Sequence, residues 1–182
     1  MTAEVIRYPA YKRITAAIIL ALFVIWVGYV LLVPTNTSKA PGTGIAVGAK
    51  APDFELKGID GKSYKLSDLK GKAVMIDFFA TWCPSCREEI PLLQETYKTY
   101  QGQGFVILAV DMQEQEKVVK QFQQEKGITF PIVLDAEEKV TKMYDIVPLP
   151  TAYFVDKNGV VQAKWTGSLT RPQLLQLIKK VL

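Results

Sequence analysis

Residues 73–89 read AVMIDFFATWCPSCREE, and this stretch decides the fold. Its first part, Ala73–Ala80, is an apolar run of strand length, which is typical of a strand buried on both faces of a sheet. Apolar residues then recur at near-helical spacing over Arg87–Tyr100, which predicts a helix. Cys83 and Cys86 therefore lie at the point where a buried strand gives way to a helix.

That location favours a reactive thiolate at Cys83. Free backbone N–H groups and the positive end of the helix dipole both stabilise an anion at a helix N-terminus, and the thiolate is the nucleophilic form of cysteine. Cys86 follows one helical turn later, close enough to close a small disulfide ring. The predicted cycle is an attack by Cys83 on a substrate disulfide, followed by an attack of Cys86 on the Cys83 sulfur. The alternative is a structural disulfide, but so short a loop removes little chain entropy.

Two acidic residues near the cysteines are candidate proton acceptors for Cys86. Asp77 interrupts the apolar strand, and burial without a partner raises the pKa of a carboxyl group. The alternative for Asp77 is a position at the strand's edge with hydrogen bonds to the backbone. Glu89 lies three residues after Cys86, on the same helix face. The alternative for Glu89 is a solvated first-turn acid that interacts only with the helix dipole.

A second segment, Val147–Thr151, completes the predicted site. Two prolines at the entry to a strand indicate a constrained peptide bond, and we expect Leu149–Pro150 to be cis and to face the thiols. Such a proline leaves backbone groups open for a substrate strand, whereas the alternative is a rigid loop with trans bonds. Trp82 and Pro84 flank Cys83 and join Leu149 and Pro150 in the predicted substrate-binding set.

Composition excludes several classes of function. The chain has 182 residues, which predicts one domain with an appendage, and it contains no histidine and only two cysteines. Structural zinc is therefore not expected, and neither a metal nor another cofactor is predicted. The net charge is +4, but residues 1–40 hold four basic residues and one acidic residue, which leaves +1 for the remainder. No basic block indicates nucleic-acid binding.

The N-terminal region contains an uncharged apolar run, residues 14–33, which reads ITAAIILALFVIWVGYVLLV. As a helix, these residues span roughly 30 Å, the thickness of a bilayer's hydrocarbon core. Arg7, Lys12 and Arg13 precede the run, so the positive-inside rule predicts a transmembrane anchor with residues 1–13 in the cytoplasm. The rest of the chain is then expected on the extracytoplasmic side of the cell membrane.

The competing interpretation of this run is a cleaved signal peptide. A signal peptide's apolar region is usually about 7–15 residues, which is shorter than the run found here. The candidate cleavage sites at Ala40 and Ala51 are each followed by proline. Residues 34–47 are rich in Pro, Gly, Ser and Thr and predict a flexible linker, which places the folded domain at residues 48–182.

Strand-like and helical patterns alternate through this domain and end in a hairpin signal at residues 156–159 followed by a helix. The sequence therefore predicts an α/β domain with a mixed sheet. Taken together, these patterns resemble the thioredoxin fold, and more closely the ResA/TlpA group of membrane-anchored thioredoxin-like proteins, over about residues 47–182. The segments that carry the resemblance are Gly48–Phe54, Leu66–Lys72, Trp82–Pro91, Pro148–Thr151 and Asn158–Gly159.

The resemblance implies a thioredoxin fold with an N-terminal β-hairpin extension and a central βα insertion. It implies that Pro150 is the cis proline beside the disulfide, and that Glu89 matches the acidic active-site residue of the ResA type. The group includes reductants of apocytochrome c, which keep haem-attaching cysteines reduced outside the cytoplasm. Their electrons would come from a CcdA-like membrane thiol carrier.

Two features depart from the group's pattern. Ser85, rather than proline, precedes the second cysteine, and Asp77 matches the buried aspartate of thioredoxin itself. Alternatives that remain open are a disulfide-forming oxidant and a membrane-tethered redox sensor. A thiol peroxidase fits poorly, because its Pro-x-x-x-Thr-x-x-Cys pattern is missing at Ile76 and Ala80. A copper carrier of the Sco type fits poorly as well, because that site needs a histidine.

Overall fold

The computed structural model describes residues 10–32 and 42–182. The chain divides into two units, the first holding helix α1, Ala10–Leu32, and the second holding every strand of the described residues. Within the described residues, no helix combines the length and the apolarity needed to cross a membrane. The predicted span at residues 14–33 is therefore not confirmed, and Val33 lies outside the described residues.

The second unit is an α/β domain built on one seven-stranded sheet. The strands are β1 (Glu55–Gly58), β2 (Ser63–Lys65), β3 (Ala73–Phe79), β4 (Phe105–Met112), β5 (Ile132–Asp135), β6 (Thr151–Val155) and β7 (Val161–Thr166). The helices are α2 (Pro84–Tyr100), α3 (Glu116–Lys126), α4 (Lys139–Met143) and α5 (Arg171–Ile178).

The sheet order is β2-β1-β5-β4-β3-β6-β7, which places β3 near the middle. Strand β3 pairs in parallel with β4 and antiparallel with β6, and β4 pairs in parallel with β5. The predicted mixed sheet is thus confirmed. The N-terminal hairpin β1–β2 extends one edge of the sheet through β5, and the segment between β4 and β6 supplies the additional elements α3, β5 and α4.

Strand β3 is buried along its whole length, as its apolar run predicts. Its side chains alternate between two hydrophobic clusters, because successive strand residues point to opposite faces of a sheet. Met75 and Phe79 pack in the cluster that contains both cysteines and the apolar residues of α2 and α5. Ile76 and Phe78 pack on the other face, where Phe78 contacts Tyr144 with the ring centroids 5.5 Å apart. Burial on both faces fixes the end of β3, from which the cysteine segment departs.

The predicted linker is described only at its end, because residues 34–41 lie outside the described ranges. The N–H of Gly44 donates to the carbonyl of Lys50 at 2.8 Å. Gly48 and Ala49 exchange backbone hydrogen bonds with Val161 at the start of β7. Residues 42–47 are therefore hydrogen-bonded into the domain's first turn.

Candidate active site

Cys83 and Cys86 are joined by a disulfide, with their Cα atoms 5.3 Å apart. Cys83 is the N-cap of α2, and Pro84 occupies the helix's first turn, where its missing N–H costs nothing. The helix therefore begins at Pro84, three residues earlier than its apolar spacing predicts. This start places both sulfurs at the helix N-terminus, as the sequence led us to expect.

The first turn of α2 supplies a hydrogen bond to the sulfur of Cys83. The backbone N–H of Cys86 donates to Cys83 Sγ at 3.3 Å, and the hydroxyl of Ser85 lies 3.4 Å from the same sulfur. Both cysteines are almost covered, with 4% of Cys83 and 2% of Cys86 exposed. The N–H group and the helix dipole stabilise negative charge on Cys83 once the disulfide is reduced.

Glu89 is a buried acid on the cysteine-bearing helix, rather than the solvated acid of the alternative interpretation. Only 6% of the residue is exposed, and its Oε1 accepts a hydrogen bond from the N–H of Leu169 at 3.0 Å. Burial raises the pKa of Glu89 to about 7, against the lowering effect of that hydrogen bond. At neutral pH Glu89 is therefore poised to give or take a proton.

Asp77 is buried in the middle of β3, six residues before Cys83. It pairs with Ala109 on one side and Ala152 on the other, so the alternative position at a strand's edge is wrong. Its Oδ1 is buried and has no hydrogen-bond partner among the described residues. Burial, and secondarily the charge of Glu89, raise the pKa of Asp77 well above its ordinary value. The two acids therefore interact, and both favour their protonated forms.

The predicted substrate-binding residues differ widely in exposure. The Leu149–Pro150 peptide bond is cis, as expected, and Pro150 is buried while its carbonyl accepts a hydrogen bond from the N–H of Gly167 at 2.8 Å. Leu149 is partly buried against the core. Pro84 is exposed, and Trp82 is 67% exposed, which is unusual for so large an apolar side chain. Trp82 and Pro84 are thus open to solvent.

The segment that leads to Cys83 is held at Thr81 by Glu114, which is placed by Asp111. The sequence pattern did not single out any of these three residues. The backbone N–H and hydroxyl of Thr81 both donate to the carboxylate of Glu114, which in turn lies beside the buried Asp111. A signal for Asp111 existed, because an acidic residue at the end of the apolar strand β4 is unexpected in a buried position. Nothing in the local sequence indicates that Glu114 reaches Thr81.

Two further features of the described residues bear on the binding of ligands, the grouping of possible metal ligands and a surface cleft. Within residues 10–32 and 42–182, no three His, Cys, Asp or Glu residues are grouped so that they could hold a metal ion. A cleft of about 240 Å³ is lined by Lys50, Asp53, Lys70 and Asn158, among others, but none of its lining residues belongs to the cysteine segment.

Comparisons with known proteins agree with this geometry. The model of the AhpC/TSA family matches residues 47–164. The thiol-disulfide oxidoreductase ResA of Geobacillus thermodenitrificans (strain NG80-2) is 38% identical over 170 residues, which cover 93% of this chain and 96% of that protein. ResA of Bacillus subtilis (strain 168) is 37% identical over 164 residues, which cover 88% of this chain and 90% of that protein.

A solved structure shows the same fold. The thiol:disulfide interchange protein of Chlorobium tepidum TLS, a thioredoxin family protein, superimposes with a TM-score of 0.68 at 31% identity, covering 75% of this chain and 97% of that one. Three observations indicate the same activity: the fold, the disulfide at the start of α2 and the names of these relatives. The chain belongs to the AhpC/TSA family and, within it, to the ResA group of thiol-disulfide oxidoreductases with a thioredoxin-like fold.

Proposed function

We propose that this oxidoreductase works in the reducing direction and donates electrons to protein disulfides outside the cytoplasm. The observation that carries the proposal is the pair of buried acids, Asp77 and Glu89, on the cysteine side of the sheet. A dithiol is a strong oxidant when its reduced, thiolate form is stabilised. At pH 7 Glu89 is partly ionised, and its charge opposes a second negative charge in the same buried region. This disfavours a thiolate at Cys86 and favours the disulfide.

In the proposed cycle, the thiolate of Cys83 attacks one sulfur of a substrate disulfide. A mixed disulfide forms, and the other substrate sulfur leaves as a thiolate that takes up from solvent the proton which Cys83 released when its own thiolate formed. Cys86 then loses its proton to the carboxylate of Glu89 and attacks the Cys83 sulfur, whereas Asp77 can act as a second acceptor only in its ionised form. The second substrate thiol is released, so that the substrate gains two electrons and two protons while the protein forms its own disulfide.

Trp82, Pro84, Leu149 and Pro150 are proposed to hold the substrate during this exchange. Trp82 supplies an exposed aromatic surface beside Cys83, and aromatic side chains of this kind are frequent anchors in protein interfaces. Pro150 has no N–H, so a strand laid beside it would pair with its neighbours' backbone groups. The substrate is therefore proposed to be an extended peptide that carries the disulfide.

Apocytochrome c is the proposed substrate, because the ResA group includes its reductants, and a CcdA-like membrane thiol carrier is the proposed electron donor. We also propose that residues 14–33 anchor the protein in the cell membrane, with residues 1–13 cytoplasmic and the domain extracytoplasmic. The absence of charge in this run and the bases that precede it support the anchor. Large apolar side chains of α1, such as Leu20 and Phe23, are also exposed.

The direction of electron flow is tested by the reduction potential in glutathione buffers. We expect a value close to that of thioredoxin, about −270 mV, whereas a value near that of DsbA, about −120 mV, would make the protein an oxidant. The substrate is tested with an oxidised peptide containing Cys-x-x-Cys-His, the haem-attachment pattern, and in cells that carry Cys83→Ala. Normal c-type cytochromes in those cells would remove the apocytochrome assignment. Protease accessibility in intact and lysed cells tests the location of the domain.

A further inference from the structure

All three polar groups of Thr81 are held by charged side chains from elsewhere in the chain. Its backbone N–H donates to Glu114 Oε2 at 2.5 Å, and its hydroxyl donates to Glu114 Oε1 at 2.6 Å. Its carbonyl accepts a hydrogen bond from Arg87 Nη1 at 2.9 Å. Thr81 is 7% exposed and immediately precedes Trp82 and Cys83. The segment that enters the active site is thus fixed at Thr81, directly before the Cys83–Cys86 segment.

Arg87, on the far side of the motif, is itself held in place. Its Nη2 lies 3.2 Å from Glu125 Oε1 on α3, and its guanidinium lies 5.0 Å from the centre of the Phe122 ring. These contacts are partly exposed, and each is worth less than a buried one. Together these two contacts keep the Arg87 guanidinium directed at the carbonyl of Thr81. The Cys83–Cys86 segment is therefore held by Thr81 before it and by Arg87 after it.

Glu114 is placed by an unusual local structure. The residue before it, Gln113, has φ of 61°, a left-handed conformation that costs a non-glycine residue roughly 1 kcal/mol. The N–H of Glu114 donates to Asp111 Oδ1 at 3.3 Å. Asp111 is fully buried, and its Oδ2 has no hydrogen-bond partner in the described parts of the chain. Burial and the neighbouring Glu114 raise the pKa of Asp111 to about 8, which favours its protonated form.

We propose that Glu114 is a positioning residue for thiol–disulfide exchange, which acts through Thr81 by fixing the turn that carries Cys83 against the N-terminus of α2. That turn is short. The N–H of Cys83 donates to the carbonyl of Ala80 at 3.2 Å, and the hydrogen bond from Cys86 to Cys83 Sγ depends on where the turn sets the sulfur. Glu114 touches neither sulfur, so its effect reaches Cys83 only through the backbone of residues 81–83.

A direct charge effect of Glu114 would act in the opposite direction. Removing a nearby carboxylate makes a thiolate easier to form and lowers the pKa of the thiol. Loosening the turn instead weakens the hydrogen bond and the dipole interaction that stabilise the Cys83 thiolate, which raises the pKa of that thiol. The sign of the change therefore separates positioning from electrostatics.

The test uses four variants of the full-length protein: Glu114→Ala, Glu114→Gln, Thr81→Val and the control Glu95→Ala. Glu95 is exposed and also forms a two-pronged contact, with Arg171, but it touches nothing in the cysteine segment. The reduced proteins are reacted with a small aromatic disulfide from about pH 5 to about pH 9, which gives both the exchange rate and the pKa of the Cys83 thiol. Thermal unfolding of each variant is measured in parallel.

For Glu114→Ala we expect an exchange rate about tenfold lower at neutral pH, together with a raised thiol pKa. Glu114→Gln is expected to retain most of the rate, because its amide oxygen can accept from the Thr81 N–H while its NH₂ donates to the hydroxyl. Thr81→Val loses only the hydroxyl's hydrogen bond and should fall between wild type and Glu114→Ala. Glu95→Ala should match wild type in both rate and thiol pKa.

The proposal is overturned if Glu114→Ala unfolds at a lower temperature but keeps the wild-type exchange rate and thiol pKa. The contact between Glu114 and Thr81 would then stabilise the fold without affecting the exchange reaction. A lowered thiol pKa in both Glu114 variants would overturn it in favour of a charge effect. If Glu114→Ala does not fold, Thr81→Val decides, and a wild-type rate in that variant refutes the proposal. The test needs only the family's exchange activity, so it is independent of whether apocytochrome c is the substrate.

Discussion

Glu89→Gln should make the protein more stable at neutral and alkaline pH while slowing its redox cycle. The substitution preserves the shape of the side chain and an oxygen that can accept from the N–H of Leu169. It removes only the ability to ionise. The difference between the two proteins therefore reports what it costs to place a charge on Glu89 in its buried position.

The size of the difference follows from the pKa of Glu89, which is raised from 4.5 to about 7 by burial. At about 1.4 kcal/mol for each unit of pKa, complete ionisation costs about 3 kcal/mol of folding free energy. Because the pKa of Glu89 is raised in the folded protein, wild type has its full free energy of unfolding below pH 4.5. It loses the contribution of protonated Glu89 as the pH rises from 4.5 to about 7. Glu89→Gln should therefore match wild type at about pH 4 and exceed it by about 3 kcal/mol at about pH 8.

The assay is urea unfolding of the oxidised protein at a series of pH values, because the disulfide prevents the thiols from titrating. The neighbouring variant Glu88→Gln is the control, since Glu88 is exposed on the same helix. A constant difference between Glu89→Gln and wild type across the whole pH range would refute the argument, because the charge on Glu89 would then cost nothing.

Three other predictions test the remaining parts of the site. Cys86→Ser should accumulate a mixed disulfide between Cys83 and a protein substrate on non-reducing gels, whereas Cys83→Ser should form none. Trp82→Ala should change the free energy of unfolding by no more than about 0.5 kcal/mol, because the side chain is 67% exposed, but it should raise KM for a protein disulfide while leaving the rate with a small disulfide unchanged. Asp77→Asn should be more thermally stable than wild type by a margin that widens as the pH rises, because burial opposes ionisation of Asp77; a margin independent of pH would contradict this.

The elements nearest to the cysteines could be predicted because their local patterns are strong. The apolar run of β3 is typical of a strand buried on both faces, and the position of the cysteines at its end agrees with a helix start. The boundary of α2 was predicted three residues late, because Pro84 and Ser85 carry no apolar signal even though proline suits a helix's first turn.

Contacts between distant segments could not be predicted in the same way. The burial of Glu89 depends on the loop that brings Leu169 over it, and a first-turn glutamate has the same local sequence whether it is buried or solvated. The reach of Glu114 to Thr81 depends on the parallel pairing of β3 with β4, which sets the two following loops side by side. Such contacts follow from topology, which local periodicity does not specify.

The two buried acids, Asp77 on β3 and Glu89 on α2, have a consequence for how the protein handles hydrogen ions. Exchange between a dithiol and a disulfide neither consumes nor releases hydrogen ions overall. The hydrogen ion of the Cys86 thiol, however, must leave its sulfur before the second substrate sulfur takes one up. In the proposed cycle Glu89 holds this hydrogen ion for the interval, because its pKa of about 7 lets it exchange a proton near neutral pH.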